Sequence, residues 1–400
     1  MESAMPATVQ KATQQQTKTF NSQLVLQTIY ELGQTSRADI ARRTHLTRTT
    51  VSDLVTELQG RGLVSEIGYG PSVGGRSPIL LSIINDARHI ISLDLANNEF
   101  RGAVVNLRNE VVQTASLPVA GRHGPDALAH VYSLIDRLLA TTDQPILGIG
   151  IGTPGLVDTA GGIVLRAVNL DWQDLPLGRL LQERYKLPVY LANDSQLAAL
   201  AHYMASEEAH VVNLVVLTVG HGVGAGLILN GRLFQGDGFG AGEIGHVRVV
   251  EGGELCRCGH YGCLETVVST QAISRRAAAL RGGNPAGVSV AAVQAACEAG
   301  DEDAWALVAE TGRYLGMAAA ALIGILNIQR ILVMGPVAQF GERLRAAIEA
   351  EMRVRALPTL AQATVVTVAP YLPNSVIQGA AVLLLTRELG LNVAGAGERR

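Results

Sequence analysis

Three of the four cysteines in this chain, Cys256, Cys258 and Cys263, fall within eight residues of one another. Such crowding, in a chain whose start carries no apolar leader, favours a bound metal over disulfides. His246 precedes them in Gly242-Glu-Ile-Gly-His246. One imidazole and three thiolates make the closed tetrahedral set that structural zinc prefers. The glycines at 259 and 262 permit the tight turns needed to bring three thiolates onto one ion. The ligand set expected here is therefore His246, Cys256, Cys258 and Cys263 around a structural Zn2+, with no open position for hydrolytic chemistry. The alternative is a run of inert or reactive cysteines beside an incidental histidine. His260 lies inside the same knuckle and is expected to be exposed rather than a ligand.

Four hundred residues imply two or three domains, and a composition 48% hydrophobic and 17% charged can bury a large core. The longest apolar run, Leu315 to Leu326, stops at Asn327, short of the ~20 residues a membrane span needs. The start of the chain, with Gln14-Gln15-Gln16 and scattered lysines, lacks the apolar stretch of a signal peptide. A cytoplasmic protein with no membrane partner is expected. Residues 1–85 carry 8 Lys/Arg against 6 Asp/Glu, and the remainder 24 against 29. The N-terminal excess permits nucleic-acid binding without demonstrating it.

Residues 1–20 are polar and without periodicity, and read as a flexible tail. Residues 21–85 read as a winged helix-turn-helix. A first helix is expected from about Ser22 to Leu32, with Val25, Ile29 and Leu32 on one face. Ser36, with Asp39 three residues on, has the form of a capping box for a second helix ending near Thr44. Thr47 caps a third, in which Val51, Leu54, Val55 and Leu58 recur at i, i+3, i+4, i+7. Thr47, Arg48, Thr49, Thr50 and Ser52 then lie at the start of that helix, mostly off its buried face. Short polar and basic side chains there suit base edges and phosphates in a major groove. Two strands follow, with Gly74-Gly75-Arg76-Ser77-Pro78 at the tip between them. An arginine so placed, Arg76, suits a narrow minor groove. A three-helix module that binds protein is the alternative. Arg42 and Arg43 are equally readable as solvated charges.

From His89 the texture changes to strands: His89–Leu95, Arg101–Leu107 and Glu110–Pro118, then a helix near Asp126–Ala140 and a buried strand Ile146–Gly152. Val189–Asn193 leads into a helix over Ser195–Ala205. A second βββ unit spans Val211–Val219, Gly224–Leu229 and Arg232–Phe234, with later strands at Arg330–Met334 and Thr364–Ala369. Two such units predict a duplicated, two-lobed α/β fold with a cleft.

The spacing from His246 to Cys256-x-Cys258-Gly-x-x-Gly-Cys263-x-Glu265 resembles the signature of the ROK family of repressors, open reading frames and kinases. Gly152-Thr-Pro-Gly-Leu-Val-Asp158, Asn169-Leu-Asp-Trp172, Ala192-Asn193-Asp194 and Thr218-Val-Gly-His-Gly-Val-Gly-Ala-Gly226 are similar to further family motifs. The N-terminal winged helix marks the repressor branch. The resemblance implies an actin-like ROK domain over 86–400. Its first lobe would take about 86–200 plus 372–400, and its second about 201–371. It implies sugar contacts at Gly155, Asn169, Asn193, Asp194, Glu243, His246 and Glu265. Glu243 and Glu265 remain readable as solvated carboxylates, and Asn193 and Asp194 as a helix cap.

The kinases of this family open their first strand with Asp-x-Gly-Gly-Thr, whose glycines let backbone N–H groups approach phosphates. Here the stretch is Asp94-Leu95-Ala96-Asn97-Asn98. The second phosphate loop carries His221 where kinases have Thr, and the adenosine-side Gly-Gly is Gly335-Pro336. These departures predict a regulator without catalysis, in which Asp194 is a sugar ligand and not a base. The expected partners are palindromic double-stranded operator DNA, a small-molecule sugar or sugar derivative, and a second copy of the chain in a homodimer or homotetramer. An active sugar kinase and a repressor controlled by a protein partner are the competing readings.

Overall fold

The first helix, α1, runs Gln14–Leu32, so it begins well before Ser22. Thr13 and Gln16 cap it reciprocally: Gln16 N donates to Thr13 Oγ1 at 3.2 Å, and Thr13 N to Gln16 Oε1 at 2.8 Å. Residues 14–20, expected in the tail, are therefore helix, with Thr13 as its cap. Their exposed, glutamine-rich turns carry no apolar period, yet glutamine is a good helix former and the cap supplies the start signal. The structure, a computed structural model, describes residues 13–71, 77–96, 98–206, 211–280, 288–370, 372 and 374–391. The rest of the expected tail, 1–12, and the tip arginine, Arg76, lie outside them.

Helix α2 spans Arg37–Thr44 and α3 spans Arg48–Gly60. Ser36 and Asp39 form the reciprocal cap of α2, and Thr47 Oγ1 accepts from Thr50 N at 3.2 Å to cap α3. Ile40, Val51, Leu54, Val55 and Leu58 are buried. The wing strands Val64–Tyr69 and Ile79–Ile83 pair antiparallel, with an irregularity between Glu66 and Gly68.

This winged helix has no core of its own. Val25, Ile29, Ile40, Leu58 and Leu81 share one apolar cluster with Ile90, Val105 and Leu107 of the following sheet, and with Ile377, Leu384, Leu385 and Leu389 of the last helix. Arg108 fastens the seam. Its Nη1 donates to the Tyr30 carbonyl at 2.6 Å, and its guanidinium lies 4.6 Å from the Tyr30 ring centre. The three N-terminal helices and the first sheet are therefore packed as one unit.

Two five-stranded sheets follow, and their order is the same. In the first, the neighbours run Val189–Asn193, Ile146–Thr153, His89–Leu95, Glu99–Val105, Val111–Pro118. In the second they run Val365–Ala369, Arg330–Met334, Leu214–Val219, Val223–Leu229, Arg232–Phe234. In each, the first strand in sequence is central. It is antiparallel to the second strand and parallel to the fourth. The duplicated fold expected from the strand pattern is present. Two helices join the halves: Asp194–Ala205 and Ser375–Leu389 pack in one cluster with Leu214, Val216, Ile228 and Met334 of the second sheet.

A third, small antiparallel sheet, Leu156–Asp158, Ile163–Ala167 and Trp172–Leu175, has no counterpart in the sequence reading. Its strands are only three to five residues long, and they bury Val157, Val164, Ala167 and Trp172. Among the described residues, one helix, Glu302–Leu326, is long and apolar enough to cross a membrane. Leu307, Leu315 and Ile323 of that helix are buried in the second lobe's core.

Candidate functional site

The parallel strands of both sheets run at their carboxyl ends into the candidate site residues. His89–Leu95 ends beside Asp94, Ile146–Thr153 runs into Gly155, and Val189–Asn193 delivers Asn193 and Asp194. On the other side Leu214–Val219 ends before His221, and Arg330–Met334 before Gly335. Carboxyl ends of parallel strands are where α/β sheets hold ligands, because loops and helix starts leave polar groups free there.

Gly155 has φ +85°, and a Cβ there would run into the Arg166 carbonyl. Its own carbonyl accepts from Asn193 Nδ2 at 2.9 Å. Asn193 Oδ1 accepts from Ser195 N at 2.9 Å and Gln196 N at 3.3 Å. Asn193 thus caps the joining helix and ties it to the Gly155 loop. Asp194 accepts from Ser195 N at 2.7 Å through Oδ1. Withdrawal from water pushes the Asp194 carboxyl up to about 7, and the negative charges of Asp94 and Glu243 add to this, against hydrogen bonds from Ser195. Burial raises Glu243 too, helped by Glu265 and opposed by His246.

The Asp194 shift has a definite sign. A carboxyl raised in the folded state holds its proton longer than in the unfolded chain, so stability falls as pH rises from the ordinary carboxylate range to the folded value. Asp194→Asn is expected to raise the melting temperature more at about pH 8 than at about pH 5. Equal gains at both would remove the shift.

Glu243 leads into the short turn Ile244–His246. His246 turns its two nitrogens in different directions: Nδ1 lies 3.5 Å from Cys256 Sγ, and Nε2 lies 3.7 Å from Glu243 Oε2. Cys258 Sγ and Cys263 Sγ are 3.6 Å apart. The ligand atoms of His246, Cys256, Cys258 and Cys263 all lie within 4.8 Å of one another, a set fit for a metal ion. Gly262 makes the knuckle possible. Its φ is +73°, and a Cβ would collide with the Val250 carbonyl. His260 is exposed and stands outside the set.

Glu265 opens the helix after the knuckle. Its Oε2 accepts from Val223 N at 3.1 Å. Asn169, on the turn Val168–Leu170, accepts from Arg257 Nη1 at 2.7 Å through Oδ1. His221 lies near enough to Arg257 and Glu265 to feel both charges. Burial lowers its basicity, Arg257 lowers it further, and Glu265 opposes. Sequence reasoning missed Arg257 and Arg101. Arg101 faces Asp94 across the antiparallel pair and forms an ion pair with it. Burial raises Asp94, and Arg101 holds it back.

On the winged helix, Thr47, Arg48 and Thr49 are exposed, and Thr50 and Ser52 are half-buried. The Thr47 and Thr50 hydroxyls lie 2.8 Å apart. Arg42 pairs with Asp39, and Arg43 lies 4.0 Å from Glu31.

A helix-turn-helix module built onto a two-lobed, sugar-kinase-like domain defines a class of regulator rather than a simple kinase. The chain belongs to the ROK family, whose model matches residues 90–387, and residues 19–66 match the MarR family model. It is 33% identical to the xylose repressor of Caldicellulosiruptor bescii over 340 residues, 81% of this chain and 85% of that protein. A ROK family transcriptional regulator described as a homolog of the E. coli MLC protein superposes with a TM-score of 0.82 at 30% identity, covering 94% of this chain and 98% of that one. A ROK glucokinase from Streptomyces griseus, in complex with glucose and AMPPNP, superposes with a TM-score of 0.63 at 26% identity. It covers 74% of this chain and 98% of its own.

Proposed function

We propose that the protein is a transcriptional regulator that binds operator DNA through its winged helix and alters that binding when a sugar fills the cleft. The observation that carries this reading is the exposed start of α3, built on the same core as the cleft's first sheet. The name of the xylose repressor supports both halves of it. Thr47, Arg48, Thr49, Thr50 and Ser52 are the proposed major-groove residues, and Arg76 the minor-groove one. A homodimer or homotetramer acting on a palindrome, in the cytoplasm at the nucleoid, is the proposed working form.

Asp194, Glu243 and Glu265 are the proposed acceptors for sugar hydroxyls, with Gly155, Asn169 and Asn193 shaping the pocket and His246 Nε2 facing it. The ion is proposed to be zinc. Zinc–sulfur bonds near 2.3 Å and zinc–nitrogen bonds near 2.0–2.1 Å in a tetrahedron put sulfurs about 3.8 Å apart and sulfur and nitrogen about 3.6 Å apart, close to the 3.6 and 3.5 Å found. Zinc would fix the knuckle that presents His246 and Glu265, a preorganising role.

The same domain in the kinases transfers phosphate, and Asp194 keeps the position of a base. The Asp94–Arg101 pair and the loss of loop glycines support a chain without that activity. A coupled assay should find no sugar-dependent ATP turnover; turnover abolished by Asp194→Asn would restore the kinase reading. The proposed switch is cleft closure. Sugar weakens DNA binding by preferring the conformation that DNA disfavours.

Arg48 has no ion-pair partner among the described residues. Arg48→Ala is expected to weaken operator binding by about 1–3 kcal/mol and to flatten its salt dependence. Unchanged affinity in a titration over several salt concentrations would remove α3 from the groove.

A further inference from the structure

Arg257 stands between two cysteines of the metal set. Its guanidinium touches groups from both halves of the cleft. Nη1 donates to Asn169 Oδ1 at 2.7 Å. Nη2 lies 3.9 Å from Glu265 Oε1. Both neighbours are held from behind. The Asn169 carbonyl lies 3.2 Å from His123 Nδ1, and Glu265 Oε2 accepts from Val223 N at 3.1 Å. The Asn169 turn belongs to the small sheet's connection in the first lobe, packed by Leu170 and Trp172. Glu265 and the knuckle belong to the second lobe.

A planar fork of donors suits this place. It can serve one acceptor on each side of a gap in a fixed geometry, which a lysine point charge cannot do. Its neighbours Cys256 and Cys258 are both metal-set residues, so a bound ion would hold the loop at both sides of the arginine.

We propose that Arg257 is a positioning residue that ties the metal knuckle to the Val168–Leu170 turn across the cleft, and so sets the spacing of Asn169 and Glu265. Its consequence for sugar binding rests on the ligand reading above, whereas the tie itself exists without ligand. Any ligand group that takes Arg257 from Asn169 must supply a hydrogen-bond acceptor, because a guanidinium only donates. Loss of the tie therefore weakens ligand binding without touching the winged helix.

The test uses the full chain with its metal bound, in four forms: wild type, Arg257→Ala, Asn169→Ala and the double variant, with Arg257→Lys as the conservative change. Hydrogen exchange without ligand is followed at the Asp171 N–H, which bonds the Val168 carbonyl at 3.3 Å. Arg257→Ala should speed exchange there about tenfold, with full metal content and unchanged exchange in Val189–Asn193. Asn169→Ala should do the same, the double variant should add little, and Arg257→Lys should fall between. Unchanged exchange in Arg257→Ala with metal retained, or additive effects in the double variant, overturns the tie. If Arg257→Ala loses its metal, Asn169→Ala decides, since faster exchange at residues 256–258 is then expected and none refutes it. Affinity for xylose, glucose and N-acetylglucosamine is measured alongside. Failure of the wild type to bind any of them would count against the sugar reading and leave the exchange result standing.

Discussion

Cys258→Ser is expected to take the purified protein from about one bound metal ion per chain to nearly none, and to lower its melting temperature on the order of 5–10 °C. Cys258 is the exposed cysteine of the set, so a serine there disturbs little packing and the loss reports on the ion. Its sulfur lies 3.6 Å from that of buried Cys263, a separation that two ligands of one ion require and that two unbonded thiols do not. Structural zinc contributes about 10–16 kcal/mol in small fingers. A domain this large spreads the effect, because most of the second lobe's core stands apart from the knuckle. The loss should therefore be local: the segment from His246 to Glu265 loosens while both sheets remain. The sugar response should fail with it, since His246 and Glu265 are presented by the same loop. Elemental analysis and a thermal melt read the result. Full metal content in the variant contradicts the ligand set.

Glu243→Ala is expected to weaken sugar binding about 10- to 100-fold, the range for a hydrogen bond to a charged group, with operator affinity unchanged. Glu243 is half-buried and its carboxyl is raised by burial and by Glu265. It belongs to neither joining helix nor to the core around the winged helix. Its salt-bridge neighbour among the described residues, His246 Nε2 at 3.7 Å, is held on its other side by the knuckle. Calorimetric titration with sugar and a DNA-binding isotherm without it separate the two properties. A normal sugar response would take Glu243 out of the site; lost DNA binding would make it structural.

Much of this was readable from residues alone where the cause is local. Ser36 and Thr47 announce the helices they cap, and the apolar spacing of Val51, Leu54, Val55 and Leu58 fixes the buried face of α3. The strand Val189–Asn193 was read at its observed limits, because a short apolar run ends where the polar Asn-Asp pair begins. The knuckle spacing brought four ligands together that the structure also brings together. What escaped notice depends on partners distant in sequence. Nothing near Gln14 announces that α1 begins there except a cap. The small sheet over 156–175 has strands too short for periodicity to register. Arg101 and Arg257 gain meaning from the carboxylates and the amide opposite them, which only the folded chain supplies. The shared core of the winged helix and the first sheet was hidden too. Apolar residues such as Ile29 and Leu384 carry no mark of which neighbour they will meet.

That shared core sets how a sugar signal must travel. The winged helix packs on the first sheet and the last helix, so in the proposed dimer closure of the second lobe would reach DNA through the relative pose of two copies rather than through a hinge at residue 85. The most direct test of the account is to recover the genomic fragments that the purified protein binds, then repeat the selection with a panel of sugars. Palindromic fragments lost when one sugar is added are the predicted result. Recovery of no specific DNA, with or without sugar, would contradict it.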